Sequence, residues 1–498
     1  MSASPEPVEK PPVSIFWRVT LLVGGLCLFT LALGLARFFY DQVRTTRTLQ
    51  ERVDALDASD PNWRLHALVE SRPHPPAGKN SAELVVRVAR MIPKGRPAPA
   101  VDEALADVEP PELLRPEKLK ILDDELTVLA GAVAEARRLA DMPEGRHELD
   151  LGPNPLMTLL QDQQDTRMSA QILRLDAWSL AQKKQTDAAL LSARATVNAG
   201  RSLGEEPYAI SQLIRVACIS VGLSSMERSL ALGEASDAEL SKVQELLRLE
   251  DQHPTWRLIM RGERAVAFAT IEGMLAGKIP VREALDMGPS SSNELTWREK
   301  IFGLTRTDML RQQASLLDLF GEMSETGDLS ETEQVTRLKE IEARIKTRYQ
   351  GERLVRMLMP SMMQMEDAMR RMKAQVRCMD ALVGAERYRV QTGKWPESLE
   401  AIPKALLPQA PIDPYDGKPL RLRRTADGIV VYSVGKDGVD QGGAVTRSPT
   451  NVLPVDQGFR LWDVAKRRQP PRPPAPKPDD NQPPGGPGEG PPGPPPGM

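Results

Sequence analysis

"SAQILRLDAWSLAQKKQTDAALLSARATVNAGRSL", residues 169–203, decides the fold class. The stretch predicts one helix ending near residue 183 and a second starting at 186, folded back as an antiparallel hairpin. Ala188, Ala189, Ala193, Ala195 and Ala199 are small enough to let two facing helices approach closely. An ordinary antiparallel helical bundle accounts for this pattern.

The same grammar extends in both directions. Leu119, Leu122, Leu126, Leu129 and Val133 recur at three- and four-residue steps and predict a helix over 116–140. Further helices are expected near 81–92, 156–183, 186–204, 208–232, 236–250, 255–276, 294–321, 330–350 and 353–391. Gly204 with Pro207, Gly233, Pro254, the run from Gly277 to Pro280 and "MGPSSSN" (287–293) punctuate them. Ser330 followed by Glu331 and Glu333 is a helix start. "PKGRPAPA" (93–100) is expected as linker. The hairpin at 169–203 also resembles a tetratricopeptide-type repeat, with Ala188 and Ala195 at its seven-residue spacing, although such folds stack about three units. The methionines between Met357 and Met379 fit a core-facing stripe, with an adaptable binding groove as the other reading.

Residues Val19 to Ala36 form 18 positions without a charge, bracketed by Arg18 and Arg37. At about 1.5 Å per residue the run is long enough to cross a hydrocarbon core. Phe16, Trp17, Phe38, Phe39 and Tyr40 stand at its two ends, where aromatic residues favour the interface. A retained transmembrane helix is expected, since helical sequence continues beyond it. A cleaved signal peptide is the alternative, with Gly34 and Ala36 as small residues before a cut. Lys10 and Arg18 precede the run and Arg37, Arg44, Arg47 and Arg52 follow it, so the positive-inside count does not favour an outside body, but large domains translocate largely regardless of local charge. The expected arrangement is a single pass in the cell inner membrane, contacting the lipid bilayer through 19–36, with the body periplasmic. Residues 1–18 would be a cytoplasmic tail, 37–110 a stalk and linker, and 111–352 a helical domain. Residues 353–468 would form a long helix with a small α+β head, and 469–498 a disordered Pro/Gly-rich tail.

Little in the chain points to catalysis. A net charge of −3 gives no electrostatic reason to expect nucleic acid. The three cysteines, Cys27, Cys218 and Cys378, form no C-x-x-C pair. The four histidines, His66, His74, His147 and His253, are scattered without metal-ligand spacing and are expected at the surface without a role. No phosphate-cradling loop and no nucleophile elbow occur.

The C-terminal region carries a denser pattern. Tyr388-Arg389, Thr392-Gly393-Lys394-Trp395-Pro396 and Leu399 lead into Pro411-Ile412-Asp413-Pro414-Tyr415-Asp416-Gly417-Lys418-Pro419. A short helix is expected at Glu397-Ser398, and a β-hairpin whose turn is "TADG" (425–428) with a strand over 429–435. Tyr432-Ser433-Val434-Gly435-Lys436-Asp437-Gly438 follows. In this order the residues resemble the head of type II secretion major pseudopilins, over about 365–447. That resemblance implies an extracytoplasmic body and calcium in the loop at 435–443, with Asp437 and Asp440 as the candidate metal ligands. The alternative for the loop is a turn closed by Asp side chains. "LFTLAL" (28–33) has Leu28 and Leu33 where pilin-class proteins carry the Gly and Glu of their cleavage site, which argues against polymerisation as a pilin. The whole chain also resembles a family of bacterial single-pass membrane proteins without an assigned activity. The resemblance runs through Asp60 to Arg64, Glu206-Pro207 and Ile210-Ser211-Gln212-Leu213. The expected function is binding or scaffolding among cell-envelope proteins, with no catalytic residue and no cofactor identified beyond the calcium candidate. The alternatives are an accessory role in a secretion or pilus-like machine and an envelope enzyme.

Overall fold

A single helix, α1 (Ile15–Ser59), carries the apolar N-terminal run and continues without a break into the polar stalk. Its first half is exposed on every described face, and it is long and apolar enough to cross a membrane. The second half behaves differently: Leu49, Val53 and Leu56 lie on one stripe and pack against Trp63, Phe268 and Leu317. Pro61 ends the helix, as Pro must where an N–H is required. The turn that follows is held by Asp60, whose carboxylate accepts from Arg261 at 2.6 Å and from Arg264 at 2.6 Å. Trp63 is fully buried, donates from Nε1 to Asp57 at 2.8 Å, and meets the Phe268 ring edge-on at 4.7 Å. The sequence element Asp60 to Arg64 therefore clamps the stalk onto the body.

The computed structural model describes residues 15–152, 154, 155, 158, 162–281, 305–445 and 456–472. The Ser-rich turn at 288–293, the expected start of a helix at 294, the tail before residue 15 and residues 473–498 lie outside the described residues. Among those described the chain is mainly helical. After α1 come α2 (Leu65–Glu70), α3 (Ser81–Met91), α4 (Pro99–Leu105), α5 (Pro116–Val128) and α6 (Ala130–Ala136). Then follow α7 (Asp162–Gln182), α8 (Thr186–Arg201), α9 (Ala209–Leu232), α10 (Asp237–Asp251) and α11 (Thr255–Leu275). The series ends with α12 (Arg306–Glu325), α13 (Glu331–Arg348) and α14 (Arg353–Thr392).

The hairpin at 169–203 is present as α7 and α8, and its alanines are the reason for the close packing: Ala189, Ala193, Ala195 and Ala199 are all fully buried. Gly200 and Gly222 lie where α8 crosses α9; a Cβ on Gly222 would come within 2.5 Å of the Val197 side chain. Helix α9 is also long and apolar enough to cross a membrane, but it is a core helix, with 56% of that window buried in the body. Ser330 is the N-cap of α13 in a reciprocal capping box with Glu333. Most of the methionines in α14 are core: Met362, Met365, Met369, Met372 and Met379 are buried.

Several expectations need correction. The helix expected over 116–140 is interrupted at Leu129, next to Gly131, a poor helix former, and finishes as a 3-10 turn over Arg137–Asp141. The linker at 93–100 already starts α4 at Pro99, a first-turn position that needs no N–H donor. The short helix expected at Glu397-Ser398 is a run of turns.

The head is a three-stranded antiparallel sheet in the order β1 (Arg421–Thr425), β2 (Gly428–Ser433), β3 (Gln457–Trp462). The expected hairpin pairs Thr425 with Gly428; β3, which the sequence pattern does not announce, pairs Val431 with Phe459. Strand β2 is buried throughout: Ile429 and Val431 pack on the α14 side, and Gly443 of the following loop lies against Val430 and Tyr432 on the other. Ile429, Val431, Phe459 and Leu461 join Val376, Met379 and Leu382 of α14, and Leu240, Val243 and Leu247 of α10, in one core. Residues on both sides of position 352/353 thus share that core. Asp413 is the pin of the head. It is fully buried and accepts from Arg421 Nη1 at 2.7 Å, Ser433 Oγ at 2.8 Å and the Val434 N–H at 3.0 Å. Gln469 and Arg472, counted with the tail in the sequence, pair with residues 111–113: the Gln469 N–H donates to the Pro111 carbonyl at 2.7 Å, and Arg472 Nε to Glu112 at 2.8 Å.

Truncation of Trp63 to alanine should cost about 3–5 kcal/mol of stability. Urea denaturation of the full chain, followed by circular dichroism, measures it. A loss near zero would mean that the stalk is not held at Trp63.

Candidate functional site

The segment from Met142 to Asp150, between α6 and α7, is not helical, so its backbone groups need partners from elsewhere. Side chains supply them. Just before the segment, at the end of the 3-10 turn, Arg194 Nη1 and Asn198 Nδ2 on α8 donate to the Ala140 carbonyl at 2.9 and 3.1 Å. Arg201 Nε donates to the Pro143 carbonyl at 3.0 Å, and Arg72 Nη2 to the His147 carbonyl at 2.9 Å. Asn80 caps α3 and brackets Arg146, accepting from its N–H at 2.9 Å and donating to its carbonyl at 3.0 Å. The strap lies directly on the α8–α9 turn: a Cβ on Gly145 would sit 2.3 Å from the Ser202 carbonyl oxygen, and one on Gly204 would sit 2.2 Å from that of Gly145. Gly204 also has φ +54°, a conformation that suits glycine.

Beneath the strap, three helices meet at one carboxylate. Glu250, at the end of α10, is 1% exposed. It accepts from Arg215 of α9 through Nε at 3.0 Å and Nη2 at 2.6 Å, and from Nη1 of Arg201 of α8. Burial would raise the Glu250 carboxyl, but Arg215 and Arg201 outweigh it and hold it below the ordinary range. Arg215 Nη1 also meets His253 Nε2 at 3.1 Å. A guanidinium can only donate, so Nε2 accepts and the ring proton sits on Nδ1, where it reaches Thr255 Oγ1 at 2.9 Å. Burial first, and then the charge of Arg215, push His253 down to about 3. Arg72, Arg146, Arg201, Arg215 and His253 together line a pocket of ~240 Å³, with Glu144 and Glu205 also in its wall.

A second buried cluster adjoins it. His147 is 3% exposed and donates from Nδ1 to Asp162 Oδ2 at 3.1 Å, which leaves Nε2 buried and without a partner. Burial pushes its pKa down, against the pull of Asp162. Glu206, 2% exposed, has an unpartnered Oε2, and burial pushes its carboxyl up to about 7 against the opposing effects of Ser211 and Arg72. Gln163 Nε2 donates to Ser211 Oγ at 2.8 Å, and Tyr208 Oη to Thr158 Oγ1 at 2.9 Å. Of these groups Glu206 is the one whose proton exchanges near neutral pH, while His147, pushed down by burial, is neutral there.

Two histidines are therefore not surface residues. His147 is core, and His253 is a half-buried member of the ion cluster; each is held by a partner that sequence spacing does not pair with it. Glu206-Pro207 and Ser211-Gln212, which carried only a family resemblance in the sequence, fall at this cluster. Gln212 Nε2 donates to the Gly204 and Glu206 carbonyls at 3.1 Å each and fixes the turn that presents Glu206.

The loop at 435–443 sits apart, in the head. Asp437 accepts from the Val439 N–H at 3.1 Å and Gln441 Nε2 at 2.7 Å. Asp440 accepts from Tyr432 Oη at 3.0 Å and the Gly442 N–H at 2.8 Å, and Arg421 Nε lies 3.9 Å from its other oxygen. The two carboxylates close turns of their own. Asp456 serves the same loop, accepting from the Gly443 N–H at 2.7 Å. Among the described residues no group of three or more His, Cys, Asp or Glu is placed to hold a metal ion. Comparison with protein families, curated proteins and solved structures returned no match, so the site stands on its geometry.

The Glu206 shift has a sign. Its folded pKa is above the unfolded one, so the folded chain holds more protons than the unfolded chain between about pH 4.5 and 7. The stability it contributes is complete below pH 4.5 and is lost as pH rises through 7. Glu206→Gln does not titrate, so it should gain on the parent protein by roughly 1–3 kcal/mol between pH 5 and pH 8. Parallel melting curves of the two proteins across that range read the difference, and a constant gap would show that Glu206 is not buried as a neutral acid.

Proposed function

We propose that the protein is a single-pass inner-membrane protein whose helical body lies outside the cytoplasm and acts as a binding or scaffold component of the cell envelope. The observation that carries this reading is the continuity of α1: one helix is apolar and exposed at one end and gripped by the body at the other. Such a connection holds a large folded surface close to a bilayer, which a cleaved leader would have no reason to do. The pairing of Arg52 Nε with Asp318 at 3.1 Å supports the same reading, since it ties the stalk to α12. A reporter active only outside the cytoplasm, fused to the C-terminus, should be active. Activity of a cytoplasm-only reporter at that position would reverse the topology. Mild crosslinking followed by purification should recover defined envelope proteins.

A specific observation favours each of two other readings. Asp413 ties the Pro411–Pro419 turn to Ser433 and Val434, joining two of the pieces that resemble a pseudopilin head, which favours an accessory role in a secretion or pilus-like machine. The His147–Asp162 pair beside Glu206 favours an envelope enzyme.

The loop at 435–443 is read as a turn closed by Asp437 and Asp440, with calcium as the rival. Calcium takes six to eight oxygens, and most oxygens of these two carboxylates are already accepting hydrogen bonds. Melting of the full chain in millimolar calcium should match that in chelator. A rise that Asp437→Ala abolishes would assign calcium to the loop.

A further inference from the structure

Where α1 leaves its apolar run it borders a cleft of ~460 Å³ lined by five arginines and three carboxylates. Arg37 stands directly after Ala36, and Arg44 and Arg52 follow on the same helix. Arg311 of α12 and Arg348, in the last turn of α13, come from the body. The charges do not cancel. Arg52 is spent on Asp318, with Nε 3.1 Å from both carboxylate oxygens. Asp41 lies 3.8 Å from Arg37 and leaves that guanidinium open to solvent. Burial pushes the Glu352 carboxyl up, against Ser315, Arg311 and Arg348, so it holds its charge less readily than a surface acid. Arg311 pairs with Asp308 at 3.2 Å, outside the cleft. Arg44 and Arg348 are exposed and, among the described residues, form no ion pair. Two accessible cations from separate parts of the chain thus remain without a counter-charge.

We propose that this cleft binds the phosphate-bearing headgroup of an anionic phospholipid, taken from the bilayer that residues 19–36 cross, between Arg44 of the stalk and Arg348 of the body. Its place along α1 selects a lipid over a free ion. The headgroup layer covers each side of the hydrocarbon core to a depth of roughly 5–7 Å. Arg37 starts in that layer. The Arg44 backbone stands about 12 Å beyond Ala36. Helical side chains lean toward the N-terminus, which here is toward the bilayer, so the long Arg44 side chain reaches back to the headgroups. Guanidinium forks match phosphate oxygens, and basic residues at a membrane surface favour anionic lipids. The inference rests on the reading of α1 as a membrane helix, and it holds for either side of the bilayer.

The test uses the full-length protein reconstituted in phosphatidylcholine vesicles at constant ionic strength. Flotation first reads whether neutral lipid holds the protein, which tests the membrane reading alone. Electron paramagnetic resonance then compares a trace of spin-labelled phosphatidylglycerol with spin-labelled phosphatidylcholine through the motionally restricted fraction of each. Phosphatidylglycerol is expected to be favoured about tenfold, and Arg44→Gln and Arg348→Gln should each lower that preference about threefold. Arg47→Gln removes an exposed charge from α1 outside the cleft and should leave it unchanged. Flotation without a preference for phosphatidylglycerol, an equal loss in Arg47→Gln, or displacement of the labelled lipid by millimolar inorganic phosphate overturns the proposal and leaves the membrane reading standing. Failure to float overturns both.

Discussion

The ion cluster at Glu250 is the constraint on which the body depends. One carboxylate, removed from water, is shared by guanidiniums from the two preceding helices, so the ends of α8 and α10 and the first half of α9 are fixed at a single point. A buried charge left alone is costly by several kcal/mol, so none of the three residues can change by itself. Arg201 then reaches outward to the Pro143 carbonyl, and the strap is set by the same side chain that sets the helices. The pocket is therefore a by-product of how the bundle is held together.

Arginine does much of this work throughout the molecule. Basic and acidic residues nearly cancel, at 65 Lys and Arg against 68 Asp and Glu, yet many arginines point inward. Arg467 joins Glu386 of α14 at 2.9 Å and the Gly233 carbonyl at 2.7 Å; Arg468 donates to the Ala181, Gln182 and Leu232 carbonyls. A fork of five donors can satisfy several carbonyls of an irregular segment at once, which a lysine could not. This lets long connections lie on helices without leaving their backbones unpaired.

The helical architecture was legible because its signals are local. Glycine, proline and capping residues mark the ends, and apolar steps such as Leu119, Leu122 and Leu126 mark the inner faces. The hairpin over 421–433 was legible for the same reason. Strand β3 was not, since six residues of mixed polarity become a strand only when β2 stands beside them. The candidate site was the least legible part. His147, Asp162, Glu206 and Arg72 come from separate segments, and neither a lowered imidazole nor a raised carboxyl has a sequence signature; both arise from burial. The methionine stripe and the aspartates of the 435–443 loop attract notice in sequence, but the first is mostly core and the second are turn-closing groups.

The unbroken course of α1 also fixes an angle. Because a helix turns about 100° and rises about 1.5 Å per residue, the apolar end and the clamped end are held in one azimuthal register. The body is set on that rod like a vane on a shaft, and the face it presents is determined by the number of residues between Ala36 and Val53. One residue inserted in the intervening stretch would turn every surface of the body by more than a quarter of a circle relative to the apolar segment, without altering a single contact inside it.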